Sequence, residues 1–225
     1  MSWQALRRGE PWSGQKPLLC PETCNSHVCA SPEQLGAGTA LPSMAAALCG
    51  AESVVATDYD SHSCDAAARA AEHNWNVSGC AALGRVRVEQ LDWRDTTAPN
   101  YRPSWGPVDV LIAADCNYYS EASPWLVAAV RAHLADGGTL LLASREGRAG
   151  LAPCLAMLRA EFSEVAHHAF SPQDHLWTFE RRGRQVERPF WRVLLSGSAS
   201  QERRATVLLT VCSFALLCTF LSRRR

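Results

Sequence analysis

Residues 33–42 read EQLGAGTALP. Gly36 and Gly38 stand two apart and are followed by small residues, the pattern of a loop that lets a cofactor approach bare backbone. Such a loop normally hangs from a buried strand. The lead-in from Cys29 to Glu33 reads CASPE, which does not have the composition of one. Gly36 and Gly38 fit the first two glycines of a G-x-G-x-x-G fingerprint, but the third position is Leu41, so the dinucleotide pattern fails there.

Outward from this loop, apolar strands and helices alternate. Pro42 to Leu48 predicts a helix, with Pro42 in its first turn and Gly50 as its C-cap. Ser53 to Thr57 predicts a short strand that ends at Asp58, and Cys64 to Asn74 is alanine-rich and helical. Val86 to Gln90 alternates like a strand, and Val108 to Ala114 (VDVLIAA) reads as a buried one. Trp125 to Leu134 is an amphipathic helix, Asp136-Gly137-Gly138 a turn, and Thr139 to Ala143 another buried strand. A helix over Leu151 to Phe162 and strands over Val165 to Phe170 and Leu176 to Glu180 complete the series. The alternation predicts an α/β domain whose mainly parallel sheet is covered on both faces.

Ligands in such sheets bind beyond the carboxyl ends of the strands. Four groups fall there: the glycine loop, Asp58, Asp92-Trp93 and Asp115 to Tyr119. Asp58 lies 20 residues after Gly38, and an ionised carboxylate at that place can accept both hydroxyls of a ribose. NAD-type and S-adenosylmethionine-type sites share this device, so the pair indicates an adenosine cofactor; a tight turn with a surface aspartate is the plain alternative. Trp93 suits an adenine face and Asp92 its exocyclic amine, unless Trp93 is ordinary core. Asp115 could hold a cationic amine with Tyr118 stacked on it, or Asp115 could cap the next helix. No serine–histidine–aspartate set and no phosphate-loop lysine appears.

The totals narrow the field. Twenty-two basic and 22 acidic residues cancel, which gives no footing for nucleic acid, and a single basic residue, Lys16, is lysine. Ten cysteines with no signal peptide at the start favour a reducing compartment and free thiols. Cys20, Cys24, His27 and Cys29 are spaced too tightly for common zinc patterns, so no metal is expected. Residues 1–30 lack periodicity and read as an irregular lead, with the domain over 31–183 and a linker over 184–204. Ala205 to Leu221 carries no charge and is flanked by arginines. As a helix it would span about 25 Å against a hydrocarbon core of about 30 Å, which predicts a C-terminal membrane anchor within 205–222 and an enzyme facing the cytosol. The alternative is a further strand and helix packed on the domain.

LGAGTALP, VVATD, LDW, VDVLIAADCNYY and LLASREGRAGLAPCLAMLRAEF together resemble the seven-strand, S-adenosylmethionine-dependent protein-lysine methyltransferases of methyltransferase family 16. The similarity runs from about Leu35 to Arg182, is nearest to the group that modifies chaperones, a AAA ATPase and elongation factors, and is most specific at Asp115-x-x-Tyr118. It implies a class I methyltransferase fold, a Rossmann-like sheet of seven strands with an antiparallel last strand. It further implies that Gly36, Ala37 and Gly38 pass under the methionine part of S-adenosyl-L-methionine. Asp58 then takes the ribose, Asp92 and Trp93 the adenine, and Ala114 lines the pocket. Asp115 and Tyr118 form the entrance for a lysine side chain of a protein substrate, and the enzyme is expected to act as a monomer.

The chain departs from the family before the loop. The family has an apolar strand ending in Glu-Leu-Gly; here Gln34 precedes Leu35 and the acid, Glu33, is displaced by one. Ala40 stands where the family has a third glycine, and its N-terminal helix and Trp-Pro segment are not recognisable. A catalytically impaired adaptor with the same fold, or a small-molecule methyltransferase, therefore stands beside the lysine reading.

Overall fold

The computed structural model describes residues 31–49 and 51–182. Seven strands form one sheet: β1 (Pro32–Leu35), β2 (Val54–Asp58), β3 (Val86–Gln90), β4 (Val108–Ala114), β5 (Leu134–Arg145), β6 (Ser163–Ala169) and β7 (Asp174–Glu180). Their order is β3-β2-β1-β4-β5-β7-β6. The first five pair parallel, and β7 runs antiparallel between β5 and β6. Chain order reverses between β1 and β4, so the crevice at their carboxyl ends is where a ligand is expected.

Helices cover both faces. α1 (Leu41–Leu48) and α2 (Ser61–Ser78) lie on one, α3 (Ser123–His133) and α4 (Leu151–Glu161) on the other. Leu126, Val127 and Val130 of α3 and Leu155 and Leu158 of α4 pack on Leu111, Leu140 and Leu142 of the sheet. On the opposite face Ala45 to Ala47 of α1 meet Val54, Ile112 and Leu141, small residues that bring the helix close to the strands. Asp60 caps α2 by accepting from the backbone N–H of His62 and Ser63, and Gly79 ends it in the left-handed conformation.

The lead-in corrects one expectation. Pro32–Leu35 is a strand after all, central in the sheet and buried throughout. Its two polar residues point to opposite faces, as strand alternation requires, and each finds partners. Gln34 Oε1 accepts from Ser43 N (3.0 Å) and Ser43 Oγ (2.7 Å), while Nε2 donates to Ala37 O (3.3 Å). Glu33 Oε2 lies 2.8 Å from His133 Nδ1 and accepts from Trp105 Nε1 at 3.0 Å. Burial of polar groups costs little net free energy when their hydrogen bonds are met.

Other boundaries shift. Asp136-Gly137-Gly138 is not a turn between elements but part of β5, where the register to β4 slips between Val108 and Val110. Gly137 takes φ 76° there. α2 and α3 begin earlier than expected, at Ser61 and Ser123.

The expected membrane anchor is also corrected: among the described residues no helix is long and apolar enough to cross a membrane. Residues 205–221, on which that expectation rested, lie outside the described residues, as do the 184–204 linker, Gly50 and the Cys20–Cys29 cluster. Among the described residues no group of histidine, cysteine and carboxylate side chains could hold a metal ion.

Candidate functional site

The strand-end groups converge. The glycine loop folds over β2 through Ala37 N to Thr57 O (2.8 Å) and turns into α1 through Ala40 N to Ala37 O (2.8 Å). Gly36, Gly38 and Ala40 all have positive φ, 61°, 54° and 56°. A Cβ on Gly36 would lie 2.5 Å from Cys116 Cβ and 3.3 Å from the Trp93 ring, so the loops after β1, β3 and β4 meet at this glycine. A Cβ on Gly38 would meet nothing within 4 Å, so the loop presents bare backbone to open space there.

Asp58, at the end of β2, is buried and ties two loops together. Oδ2 accepts from Gly38 N at 2.9 Å and Oδ1 from Asp60 N at 3.1 Å. Each oxygen of an ionised carboxylate has a second acceptor direction, which suits the two hydroxyls of a ribose. Trp93 packs against the core cluster and Gly36. Asp92 is engaged by Arg94 Nε at 2.9 and 3.0 Å, and those hydrogen bonds hold its carboxyl below the usual range. An adenine amine would share that carboxylate with Arg94, whose guanidinium lies 5.9 Å from the Trp125 ring centroid.

Ala114 ends β4 beside Ala143. Asp115 follows with φ 47°, a left-handed backbone that an L residue adopts at a cost of about 1–2 kcal/mol. Its N–H donates to Ala143 O at 2.8 Å, and its buried side chain turns toward the β5–α4 loop rather than capping a helix. There Arg148, which sequence reasoning missed, forms a two-pronged ion pair: Nε to Oδ1 at 2.9 Å and Nη2 to Oδ2 at 2.6 Å. The same guanidinium sits 4.6 Å from the Tyr118 ring centroid. Asp115 and Tyr118 thus both contact a cation, but that cation is Arg148 of this chain and not an incoming lysine.

Asn117 was also missed. Its Nδ2 donates to Ser123 Oγ (3.0 Å) and Gly150 O (2.8 Å), pinning the β5–α4 loop to the start of α3. A Cβ on Gly150 would lie 2.6 Å from Asn117 Cγ, so this approach needs glycine. The Cys154 thiol nearby is pushed up to about 12, by burial, with a partial offset from Asn117. The only sequence signal for the loop was the string Arg145-Glu-Gly-Arg148-Ala-Gly150, two glycines flanking an arginine directly after a buried strand.

The sheet order and its crevice are those of the class I methyltransferase fold. The family sequence model described as lysine methyltransferase matches residues 25–158, more than half of the chain, and the chain belongs to that family. No curated protein matches. Among solved structures, the PH0226 protein of Pyrococcus horikoshii OT3 is 13% identical, with a TM-score of 0.55 over 68% of this chain and 82% of that one. The fibrillarin pre-rRNA processing protein of Methanococcus jannaschii is 17% identical, TM-score 0.53, over 69% and 67%. The ribosomal protein L11 methylase of Lactobacillus delbrueckii subsp. bulgaricus is 18% identical, TM-score 0.50, over 68% and 70%. These likenesses establish the fold. With the family they support an S-adenosylmethionine-dependent methyltransferase, and the open backbone at Gly38 beside the Asp58 carboxylate fits that cofactor.

Proposed function

We propose that this protein transfers methyl groups to a lysine side chain of a non-histone protein. The carrying observation is the pairing of Asp115 and Tyr118 around a guanidinium at the mouth of the crevice. A buried carboxylate facing an aromatic ring is a receptor for an amine at the end of a long flexible side chain. In this reading Gly36, Ala37 and Gly38 lie under the methionine part of the cofactor, Asp58 holds its ribose, and Asp92 and Trp93 its adenine. Ala114 lines the pocket between them.

When bound, S-adenosylmethionine supplies a methyl carbon already activated on a sulfonium. The chain's task is positioning, which can remove much of the barrier in a two-body displacement. Asp115 orients the amine, Tyr118 walls the channel and excludes water, and the glycine loop fixes the other reactant. The lysine nitrogen needs a free lone pair, so it must arrive without its ammonium proton. No strong base is required of Asp115.

The adaptor alternative rests on the polar lead-in before Leu35. That strand is present, and Gln34 anchors the cofactor loop to α1 instead of leaving it loose. No observation favours a small-molecule substrate. The test is incubation of the full chain with methyl-labelled cofactor and a lysate from cells lacking the protein, followed by amino-acid analysis. Labelled methyl-lysine in a discrete band, lost with Asp115→Ala while cofactor binding persists, is the expected result. Wild-type protein that binds the cofactor yet labels no band, or labels a residue other than lysine, overturns the reading.

A further inference from the structure

We infer that Arg148 is a positioning residue that makes the lysine entrance select the neutral amine over the ammonium; this rests on the lysine reading above. The charges in the corner motivate it. Asp115 alone would be a buried anion facing the incoming side chain, and an anion within about 4–6 Å of an amine favours its charged form. That form has no lone pair to give. Lysine in water has a pKa of about 10.4, so only about one molecule in 2,500 is neutral at pH 7. A lone carboxylate at the entrance would make that fraction smaller.

Arg148 cancels this field at its source. Its two N–H groups take one acceptor direction on each oxygen of Asp115, at 2.9 and 2.6 Å. The guanidinium lies over the Tyr118 ring, so the cation-attracting face of that ring is also engaged. Hydrogen bonding to Asp115 raises the Arg148 pKa further, which keeps it charged at every working pH.

The loop is built to keep this arm in place. Glu146 N donates to Gln173 O at 2.6 Å on one side, and Gly150 O accepts from Asn117 and Ser123 on the other. Between these anchors Gly147 takes φ 85° and turns the chain toward the site. Cys116, Cys154, Asp58 and Tyr119 are further ionisable groups at this end of the sheet. Both thiols are raised by burial and stay neutral. Asp58 is committed to Gly38 N and Asp60 N across the glycine loop, and Tyr119 is exposed beside Tyr118.

Transfer then balances simply. The neutral amine's lone pair forms the N–CH3 bond as the C–S bond breaks with its electron pair on sulfur. The surplus proton on the methylated nitrogen leaves to solvent.

Two readouts on the full chain test the role. The first is binding of Nα-acetyl-L-lysine methylamide with S-adenosylhomocysteine present, followed by NMR between pH 7 and 9.4. Wild-type affinity should rise with the neutral fraction of the probe. Arg148→Gln should bind the probe at pH 7 at least about tenfold more tightly, with little pH dependence. The second is the rate of labelling of the methylated band. Arg148→Gln should be slower at pH 7 by about tenfold or more and recover toward pH 9.4, while Arg148→Lys keeps most of the neutral-pH rate. Tighter binding with slower transfer is not what a merely structural residue would give.

Faster transfer in Arg148→Gln would mean that Arg148 is a plug, and equal pH profiles would mean that it is inert; either overturns the inference alone. If neither protein binds the probe nor labels lysine at any pH, the lysine reading itself has failed.

Discussion

Glu33 and His133 are a hundred residues apart in the chain, yet Oε2 and Nδ1 lie 2.8 Å apart with neither side chain reached by solvent. Trp105 donates to the same oxygen, and Tyr101 Oη lies 3.0 Å from His133 Nε2. With Glu33 as acceptor, Nδ1 carries the imidazole proton and Nε2 accepts from Tyr101, an assignment made from the network. Burial, then the Glu33 charge, push the Tyr101 phenol up. The network bolts β1, at the centre of the sheet, to the end of α3.

Glu33→Ala should therefore be among the most destabilising single changes in the domain. Removing the shared acceptor strands the buried Nδ1–H of His133, which costs about 1–3 kcal/mol, and takes away the partner of Trp105 Nε1 as well. Glu33→Gln keeps the volume and an acceptor for Trp105, so it should cost less. Urea unfolding of the three proteins, compared at equal slope, decides it; equal midpoints would mean that the network contributes nothing.

Gln34 acts on the other face. Gln34→Ala would strand the Ser43 N–H and hydroxyl in a buried place and remove one of the two donors to the Ala37 carbonyl, leaving Ala40 N. The expected loss is about 1–3 kcal/mol of stability, together with weaker cofactor binding, because Ala37 belongs to the loop. Calorimetric titration with S-adenosylmethionine against urea unfolding separates the two effects. Unchanged affinity would show that the loop holds its shape without Gln34.

Two glycines in one loop should respond differently. Gly36→Ala places a methyl 2.5 Å from Cys116 Cβ, in a backbone with φ 61°, and should disrupt folding. Gly38→Ala meets no atom within 4 Å and pays for its positive φ alone, about 1–2 kcal/mol. Its methyl enters the space offered to the cofactor, so affinity should fall more than stability. A Gly38→Ala protein that binds the cofactor like wild type would place the cofactor elsewhere.

Asp58→Asn should be nearly as damaging to cofactor binding as Asp58→Ala. Both carboxylate oxygens accept from backbone N–H groups, and an amide must turn its own N–H2 toward one of them. Isothermal titration should show affinity reduced at least tenfold, about 1.4 kcal/mol, for both. Retained binding in the asparagine variant would remove Asp58 from the ribose role.

Much of this was legible in the sequence because β2, β4 and β5 are runs of valine, leucine, isoleucine and alanine, as strands buried on both faces must be. β1 was not, since Pro32, Glu33 and Gln34 become strand residues only through partners in α1, in α3 and in the loop before β4. Asp136 to Gly138 has the composition of a turn, but the bulge against β4 draws it into the sheet. At the site, spacing from strand ends located Asp58 and Asp115. Nothing in spacing could place Arg148 on Asp115, because a loop's side-chain direction follows from its anchors at Gln173 and Asn117.

The two thiols at the base of the site give a prediction with a definite sign in pH. Burial pushes Cys154 from its ordinary value of 9.0 up to about 12 and Cys116 higher still. A thiol whose folded pKa is raised favours the neutral form in the native state. It therefore contributes stability that is complete below pH 9 and is lost as pH rises from about 9 toward 12. At pH 8 the native thiolate fraction is far below that of an unfolded cysteine. Iodoacetamide at pH 8 should modify the buried Cys154 only as fast as the protein opens and the half-buried Cys116 more slowly than an unfolded cysteine, and addition of S-adenosylmethionine should slow Cys154 further by stabilising the folded state. Mass spectrometry of timed alkylation reads each cysteine separately. Native-state labelling of Cys154 as fast as that of an unfolded cysteine would overturn the prediction.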